Sequence, residues 1–131
     1  KIQCSFLTFP LVALISGLTD PSCDAYIKRV VAIGGDHVEI NNRGELFIDG
    51  HFVLESYAQK ELCLQEGNDY GKCQRLVGKV PLGHVLVLGD NRGNSWDGRF
   101  WPGGAYLPNT EILGRAVWRF WPINRIGKLD Y

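Results

Sequence analysis

The sequence predicts an all-β fold, mostly antiparallel, with at most one short helical turn. Three observations carry that expectation. Short runs rich in β-branched and aromatic residues recur along the chain, Gly-, Asn- and Asp-rich turn signals separate them, and no apolar repeat at helical spacing is sustained. The 131 residues, with 14 basic and 14 acidic side chains, 45% hydrophobic and 11% aromatic, describe one ordinary globular domain.

Residues 2–19 form an uncharged run whose apolar middle is interrupted by Thr8, Pro10 and Ser16. A spanning helix needs about 20 mostly apolar residues, so this run is marginal and carries a proline near its centre. Only Lys1 precedes it, which does not make a clean signal peptide. Residues 1–25 are read as an atypical N-terminal segment and residues 26–131 as the folded core.

The core opens at residues 26–33 on a strand, followed by a tight turn at Gly34-Gly35-Asp36 and a second strand from His37. By strict alternation Lys28 shares one face with Tyr26, Val30 and Ala32, and Arg29 the other with Ile27, Val31 and Ile33. Both faces are apolar. An ammonium withdrawn from water loses the solvation of its charged form, and the neutral amine takes a proton, so Lys28 is a candidate general base. The alternative is an edge strand whose two cations discourage aggregation and snorkel to water.

Hairpin signals follow: a strand at 37–40, a turn at 41–44, a strand at 45–48, the turn Asp49-Gly50 and a strand at 51–54. Residues 55–79 lack a period and read as an excursion or lid-like insertion. Residues 80–83 turn the chain into an apolar strand at 85–88. That strand empties into the polar loop Gly89-Asp90-Asn91-Arg92-Gly93-Asn94-Ser95-Trp96-Asp97-Gly98-Arg99. Residues 108–114 suggest one helical turn, capped by Asn109 or Thr110 and stopped by Gly114. A last strand at 115–121 ends at Pro122.

Charge neutrality argues against a nucleic-acid surface. Cys4, Cys23, Cys63 and Cys73 form no Cys-x-x-Cys pair and are not spaced with histidines as zinc ligands, so no metal and no cofactor is expected. Cys63 and Cys73 flank a polar segment and are either a loop-closing disulfide in an oxidising compartment or independent thiols. His37, His51 and His84 lie at turns or strand ends and are read as exposed polar residues.

A Lys-Arg strand with a Gly-Gly-Asp turn, followed downstream by Gly-Asp-Asn-Arg-x-Asn-Ser-x-Asp-x-Arg, resembles type I signal peptidases, the membrane-bound Ser/Lys proteases that remove signal peptides. The resemblance runs from Tyr26 to the C-terminus. It implies that Lys28 stands at the general base, Ser95 at the serine that orients it, and Asp97 and Arg99 at an acid and base pair holding the loop. Gly89, Asp90, Asn91, Arg92 and Asn94 match the loop's supporting positions, and Tyr26 an aromatic beside the base. The implied partners are preprotein signal peptides and membrane lipid. The implied location is a membrane, with the catalytic domain on its periplasmic or thylakoid-lumen side. Phe52-Val53-Leu54-Glu55 and Arg119-Phe120-Trp121-Pro122 are most similar to cyanobacterial and chloroplast thylakoid members.

The resemblance also fails at identifiable places. The family's Ser-Met-x-Pro-Thr nucleophile motif is absent, Ser5-Phe6-Leu7-Thr8 being its nearest imitation, and so is the Arg-Gly-Asp strand before the lysine. Residues 1–25 are then a buried strand, a displaced anchor or an aberrant N-terminus on a fragment, the last being the expectation adopted. The result would be an incomplete signal-peptide-cleaving serine endopeptidase. A non-catalytic β module binding extended peptides competes with that reading. A LexA-type self-cleaving regulator is disfavoured, because nothing before Tyr26 reads as a helix-turn-helix. The aromatic residues Phe100, Trp101, Tyr106, Trp118, Phe120 and Trp121, with Pro102, exceed what this domain can readily bury, so some are expected to face lipid.

Overall fold

The structure, a computed structural model, describes residues 26–60, 63, 73–119 and 123–129. The strands are β1 (Arg29–Ile33), β2 (His37–Ile40), β3 (Leu46–Ile48), β4 (His51–Val53), β5 (Leu76–Lys79), β6 (His84–Leu88), β7 (Tyr106–Pro108), β8 (Trp118–Arg119) and β9 (Gly127–Lys128). They form three antiparallel sheets, ordered β1-β6-β7, β4-β3-β2-β5 and β8-β9. The all-β expectation holds.

Short-range chemistry accounts for the hairpins. The β3–β4 turn places Asp49 at φ 49° and Gly50 at φ 79°, the paired left-handed residues that match the twist of the flanking strands. Between β1 and β2, Gly35 sits at φ 100° and the Asp36 carboxylate accepts from the Ile33 amide at 2.9 Å. Leu86 and Leu88 of β6 and Ala32 of β1 meet Val38 and Ile40 of β2, Leu46 of β3 and Val80 in one buried cluster. The two larger sheets therefore share a core, which fixes β1 and β6 as a platform for the loop beyond Leu88.

Strict alternation fails in β1. Arg29 pairs with Leu88 and Val30 with Val87, but Ala32 pairs with Leu86, so Val31 is an extra residue. This β-bulge changes the side-chain parity: Val30 is 46% exposed whereas Ala32 is 3% exposed. Lys28 and Ala32 thus do not share a face in the way alternation implies.

Other expectations are also corrected. The excursion at 55–79 contains β5, which pairs with β2 from His37↔Lys79 to Ile40↔Leu76. Its Gly78 faces the Tyr106 hydroxyl so closely that a Cβ would collide with it, a requirement set by β7 rather than by the local sequence. The helical turn is a 3-10 turn at Asn109–Glu111 preceded by Pro108 with no side-chain cap, and it ends at an extended Ile112, not at Gly114. The strand at 115–121 is reduced to Trp118–Arg119 among the described residues, and β9 follows Pro122. Of the two alternatives left open for Cys63 and Cys73, the structure has the disulfide. His37 and His51 are exposed, but His84 is half-buried with Nδ1 3.1 Å from the Leu82 carbonyl. Residues 1–25, with the segment expected to be atypical, lie outside the described residues, as do Phe120 and Trp121.

Candidate active site

The pairing of β1 with β6 assembles the site. Because Arg29 lies opposite Leu88, the preceding Lys28 is carried to the following Gly89, where the polar loop begins. That loop folds back on itself: the Gly89 amide donates to Asp97 Oδ2 at 2.9 Å, which sets Ser95 above Gly89. Lys28 Nζ donates to Ser95 Oγ at 2.8 Å although 67 positions separate them. A glycine is required at 89, since a Cβ there would collide with the Ser95 hydroxyl, lie 2.5 Å from Ser95 Cβ and stand 3.5 Å from Lys28 Nζ.

Buried ion pairs brace the loop. Asp97 is fully buried and Arg99 is 4% exposed; Arg99 Nε and Nη2 donate to the two Asp97 carboxylate oxygens, each at 2.8 Å. Arg99 Nη2 also reaches the Arg92 carbonyl at 3.0 Å. Burial pushes the Asp97 carboxyl up, but hydrogen bonds from Arg99 and the Gly89 amide, with the Arg99 charge, outweigh it and hold the group below the usual carboxylate range.

Arg92, fully buried, grips Glu55 through Nη1 at 2.8 Å and Nη2 at 2.5 Å while its Nε holds the Gly89 carbonyl at 3.1 Å. Glu55 also takes Lys60 at 3.1 Å and the Tyr57 hydroxyl at 3.0 Å. Burial raises the Glu55 carboxyl, and Arg92, Lys60 and Tyr57 together bring it below its ordinary value. Burial and then the Glu55 charge push the Tyr57 phenol up. Arg29 links this cluster to the loop. Its Nε and Nη2 meet the Asp90 carboxylate at 2.8 and 2.9 Å, and its guanidinium stacks 3.7 Å from the Tyr57 ring centre. The Gln59 amide donates to the Asp90 carbonyl at 2.7 Å, and the Arg92 amide to the Gln59 carbonyl at 2.8 Å. Cys73 Sγ lies 3.7 Å from the Arg92 carbonyl, so the disulfide is set against the same loop.

The structure therefore brings together Lys28, Ser95, Gly89, Asp90, Arg92, Asp97 and Arg99. Asn91 and Asn94 are exposed on the loop, joined by a 3.1 Å hydrogen bond from the Asn94 amide to the Asn91 carbonyl. Tyr26 is largely exposed just before β1. Sequence reasoning missed Glu55, Tyr57, Gln59 and Lys60, and it left Arg29 without a partner. The only signal for them was Phe52-Val53-Leu54-Glu55, noted for its similarity and not for burial. Among the described residues no group of three His, Cys, Asp or Glu is placed to hold a metal ion.

A groove of about 1410 Å³ opens beside Lys28, between the start of β1 and the β8–β9 hairpin. β1 stands at one end of the sheet order β1-β6-β7.

A family model described as signal peptidase, peptidase S26, matches residues 10–121. The chain belongs to the signal peptidase family. Signal peptidase I of Leptolyngbya laminosa is 42% identical over 106 residues, covering 81% of this chain and 46% of that protein. The thylakoidal processing peptidase 1 of Arabidopsis thaliana chloroplasts is 34% identical over 110 residues, covering 84% and 28%. A crystal structure of a signal peptidase I from Enterococcus faecalis V583 superposes with a TM-score of 0.51 at 27% identity, covering 66% of this chain and 78% of that one. The chain thus spans less than half the length of the cyanobacterial and chloroplast relatives it matches, 46% and 43% of two cyanobacterial signal peptidases and 28% of the thylakoidal peptidase.

Proposed function

We propose that residues 26–131 are the catalytic core of a signal-peptide-cleaving serine endopeptidase in which Lys28 is the general base and Ser95 its positioning residue. The observation that carries this is the 2.8 Å contact from Lys28 Nζ to Ser95 Oγ, made by residues of two motifs far apart in sequence. A flexible amine needs a fixed acceptor to aim it, and Ser95 stands on a loop braced by two buried ion pairs. With the substrate in the groove, the Lys28 amine, acting as general base, would take the proton of an attacking serine hydroxyl as its oxygen closes on the scissile carbonyl. The amine would return that proton to the departing nitrogen and then activate the water that releases the acyl group.

The acylating serine is not among these parts. Ser5, Ser16 and Ser22 lie outside the described residues, and Ser95 is occupied by Lys28. On this reading the chain's own N-terminal residues do not supply the nucleophile, and cleavage requires one. The substrates are preprotein signal peptides presented at a membrane. Trp118, Ile123 and Ile126, all exposed, offer apolar contact to lipid. Among the described residues no helix is long and apolar enough to cross a membrane. The Cys63–Cys73 disulfide favours an oxidising side, periplasm or thylakoid lumen. A second reading, a non-catalytic module that binds an extended peptide, is favoured by the groove between the start of β1 and the β8–β9 hairpin.

The test joins the segment preceding the catalytic lysine in the Leptolyngbya laminosa relative to residues 26–131 and supplies a preprotein in detergent. The chimera should cleave, Lys28→Ala should abolish cleavage, and the unaltered 131-residue chain should be inactive. A chimera that binds preprotein without cutting it, under conditions where the relative cuts, supports the module. Cleavage by the unaltered chain that is lost in both Lys28→Ala and Ser5→Ala would identify Ser5 as the nucleophile and remove the incomplete-enzyme reading.

A further inference from the structure

Gly89, the residue against which the Ser95 hydroxyl packs, is held from two sides. Its amide donates to Asp97, which Arg99 grips from within the loop. Its carbonyl accepts from Arg92 Nε at 3.1 Å, and Arg92 is gripped by Glu55, which lies outside the loop and shortly after β4. The Glu55 and Arg92 side chains are both wholly out of water. Lys60 Nζ at 3.1 Å and the Tyr57 hydroxyl at 3.0 Å converge on the same carboxylate. Stability alone does not ask for such a cluster, since apolar side chains of similar volume often match or better a buried ion pair. What they cannot supply is direction. With Nη1 on one Glu55 oxygen and Nη2 on the other, the guanidinium plane is fixed, and with it the line from Nε to the Gly89 carbonyl.

We infer that Glu55 is a positioning residue for the Lys28–Ser95 pair, acting through Arg92 on the peptide unit between Gly89 and Asp90. The inference rests on the reading that Lys28 is the general base, and it adds a residue that sets the rate without meeting the substrate. That peptide unit reaches the amine by two routes. At its Gly89 end there is no slack: a Cβ there would collide with Ser95 Oγ and stand 3.5 Å from Lys28 Nζ, so any turn of Gly89 displaces the hydroxyl that receives the amine. At its other end the Asp90 carboxylate holds Arg29, the chain neighbour of Lys28, at 2.8 and 2.9 Å. Releasing Arg92 from Glu55 frees the Gly89 carbonyl and so disturbs both routes together. Glu55 is buried and out of reach of a peptide, so its loss should slow turnover and leave substrate binding unchanged. Misplacing a reacting group by about 1 Å costs as much as about 100-fold in rate.

The experiment has two arms. In the intact chain, with isotope-labelled lysine and serine, nuclear Overhauser effects between the Lys28 Hε and Ser95 Hβ protons report how the amine is seated, with Lys28→Ala assigning the signals. They should be present in the parent and lost in Glu55→Gln. That variant strands the Arg92 charge, so the neutral combination of Glu55→Gln with Arg92→Gln is measured beside it. Its circular dichroism should match the parent's, and its Overhauser effects should be lost as well. In the chimera that supplies a nucleophile, Glu55→Gln should lower kcat about 10- to 100-fold with KM within about twofold. Added to Arg92→Gln, the same change should cost nothing further, because Glu55 acts through Arg92. Overhauser effects that survive in the folded combined variant overturn the inference. So does a Glu55→Gln chimera with kcat unchanged, which would leave Glu55 to stability or, if KM rises, to binding. Full additivity of the two changes in kcat also overturns it. Cleavage that survives Lys28→Ala would remove the general base instead, while the Overhauser effects in the intact chain still decide whether Glu55 seats Lys28 on Ser95.

Discussion

Removing the carboxylate of Asp97 tests whether the loop is held by its buried ion pair. In Asp97→Leu the Arg99 guanidinium would lose its 2.8 Å bonds from Nε and Nη2 and keep only the Arg92 carbonyl at 3.0 Å. Its Nη1 already has no hydrogen-bond partner among the described residues, so no spare contact softens the loss. The Gly89 amide would also lose its acceptor. Breaking a buried pair by deleting one partner costs about 3–5 kcal/mol, because a charge is left desolvated and uncompensated. Against an ordinary domain stability of about 5–15 kcal/mol, that is a third or more of the total. Replacing both residues, Asp97→Leu with Arg99→Met, removes the stranded charge and leaves the Gly89 amide, the residue 99 amide and the Arg92 carbonyl to satisfy, each about 1–3 kcal/mol at most. Urea unfolding followed by tryptophan fluorescence should thus rank the double variant as more stable than Asp97→Leu alone. A single variant costing under about 1 kcal/mol, or a double variant costing the sum of the two singles, would refute the account.

Gly89→Ala should push Ser95 off Lys28, because the new methyl would lie 2.5 Å from Ser95 Cβ where ordinary contacts are about 3.5–4.0 Å; a crystal structure of the variant retaining the Lys28–Ser95 hydrogen bond would contradict this. Acid should unfold the domain. Glu55 and Asp97 titrate below the ordinary carboxylate value near about 4. Below that value the unfolded chain binds more protons than the folded one, so the stability these groups add is full above about pH 4 and is lost as pH falls through their folded values. Urea midpoints that rise from about pH 5 to pH 3 would have the wrong sign. Replacing Cys63 and Cys73 by serine should lower the unfolding free energy by about 2–3 kcal/mol, as expected for the loop that a separation of 10 closes; a reductant that leaves the urea midpoint unmoved would count against it.

What could be read from the sequence was what short range decides. Asp49-Gly50 demands its own hairpin, and 85–88 is apolar enough to be buried wherever it goes, so the meander and the platform strand were legible. Lys28 and Ser95 were paired through a resemblance and not through spacing, since nothing in 67 intervening positions encodes a register. Glu55 reads as one more surface carboxylate until Arg92, 37 residues later, is seen to bury it. β5 was hidden because Gly78 weakens a strand signal locally while Tyr106 requires it spatially. β9 is two residues long, too short for any alternation to register.

The extra residue at Val31 works as a phase shifter between the two halves of β1. Downstream of it Ala32 is locked into the shared core, while upstream Val30 is exposed and Lys28, just before the strand, lines the groove. Side chains on a strand are normally bound to one another's orientation, so a change that suits the core drags every neighbour with it. A bulge cuts that linkage. The start of β1, next to Lys28, and the half that anchors the sheet can therefore accept substitutions on separate terms, one answering to the groove and the other to packing.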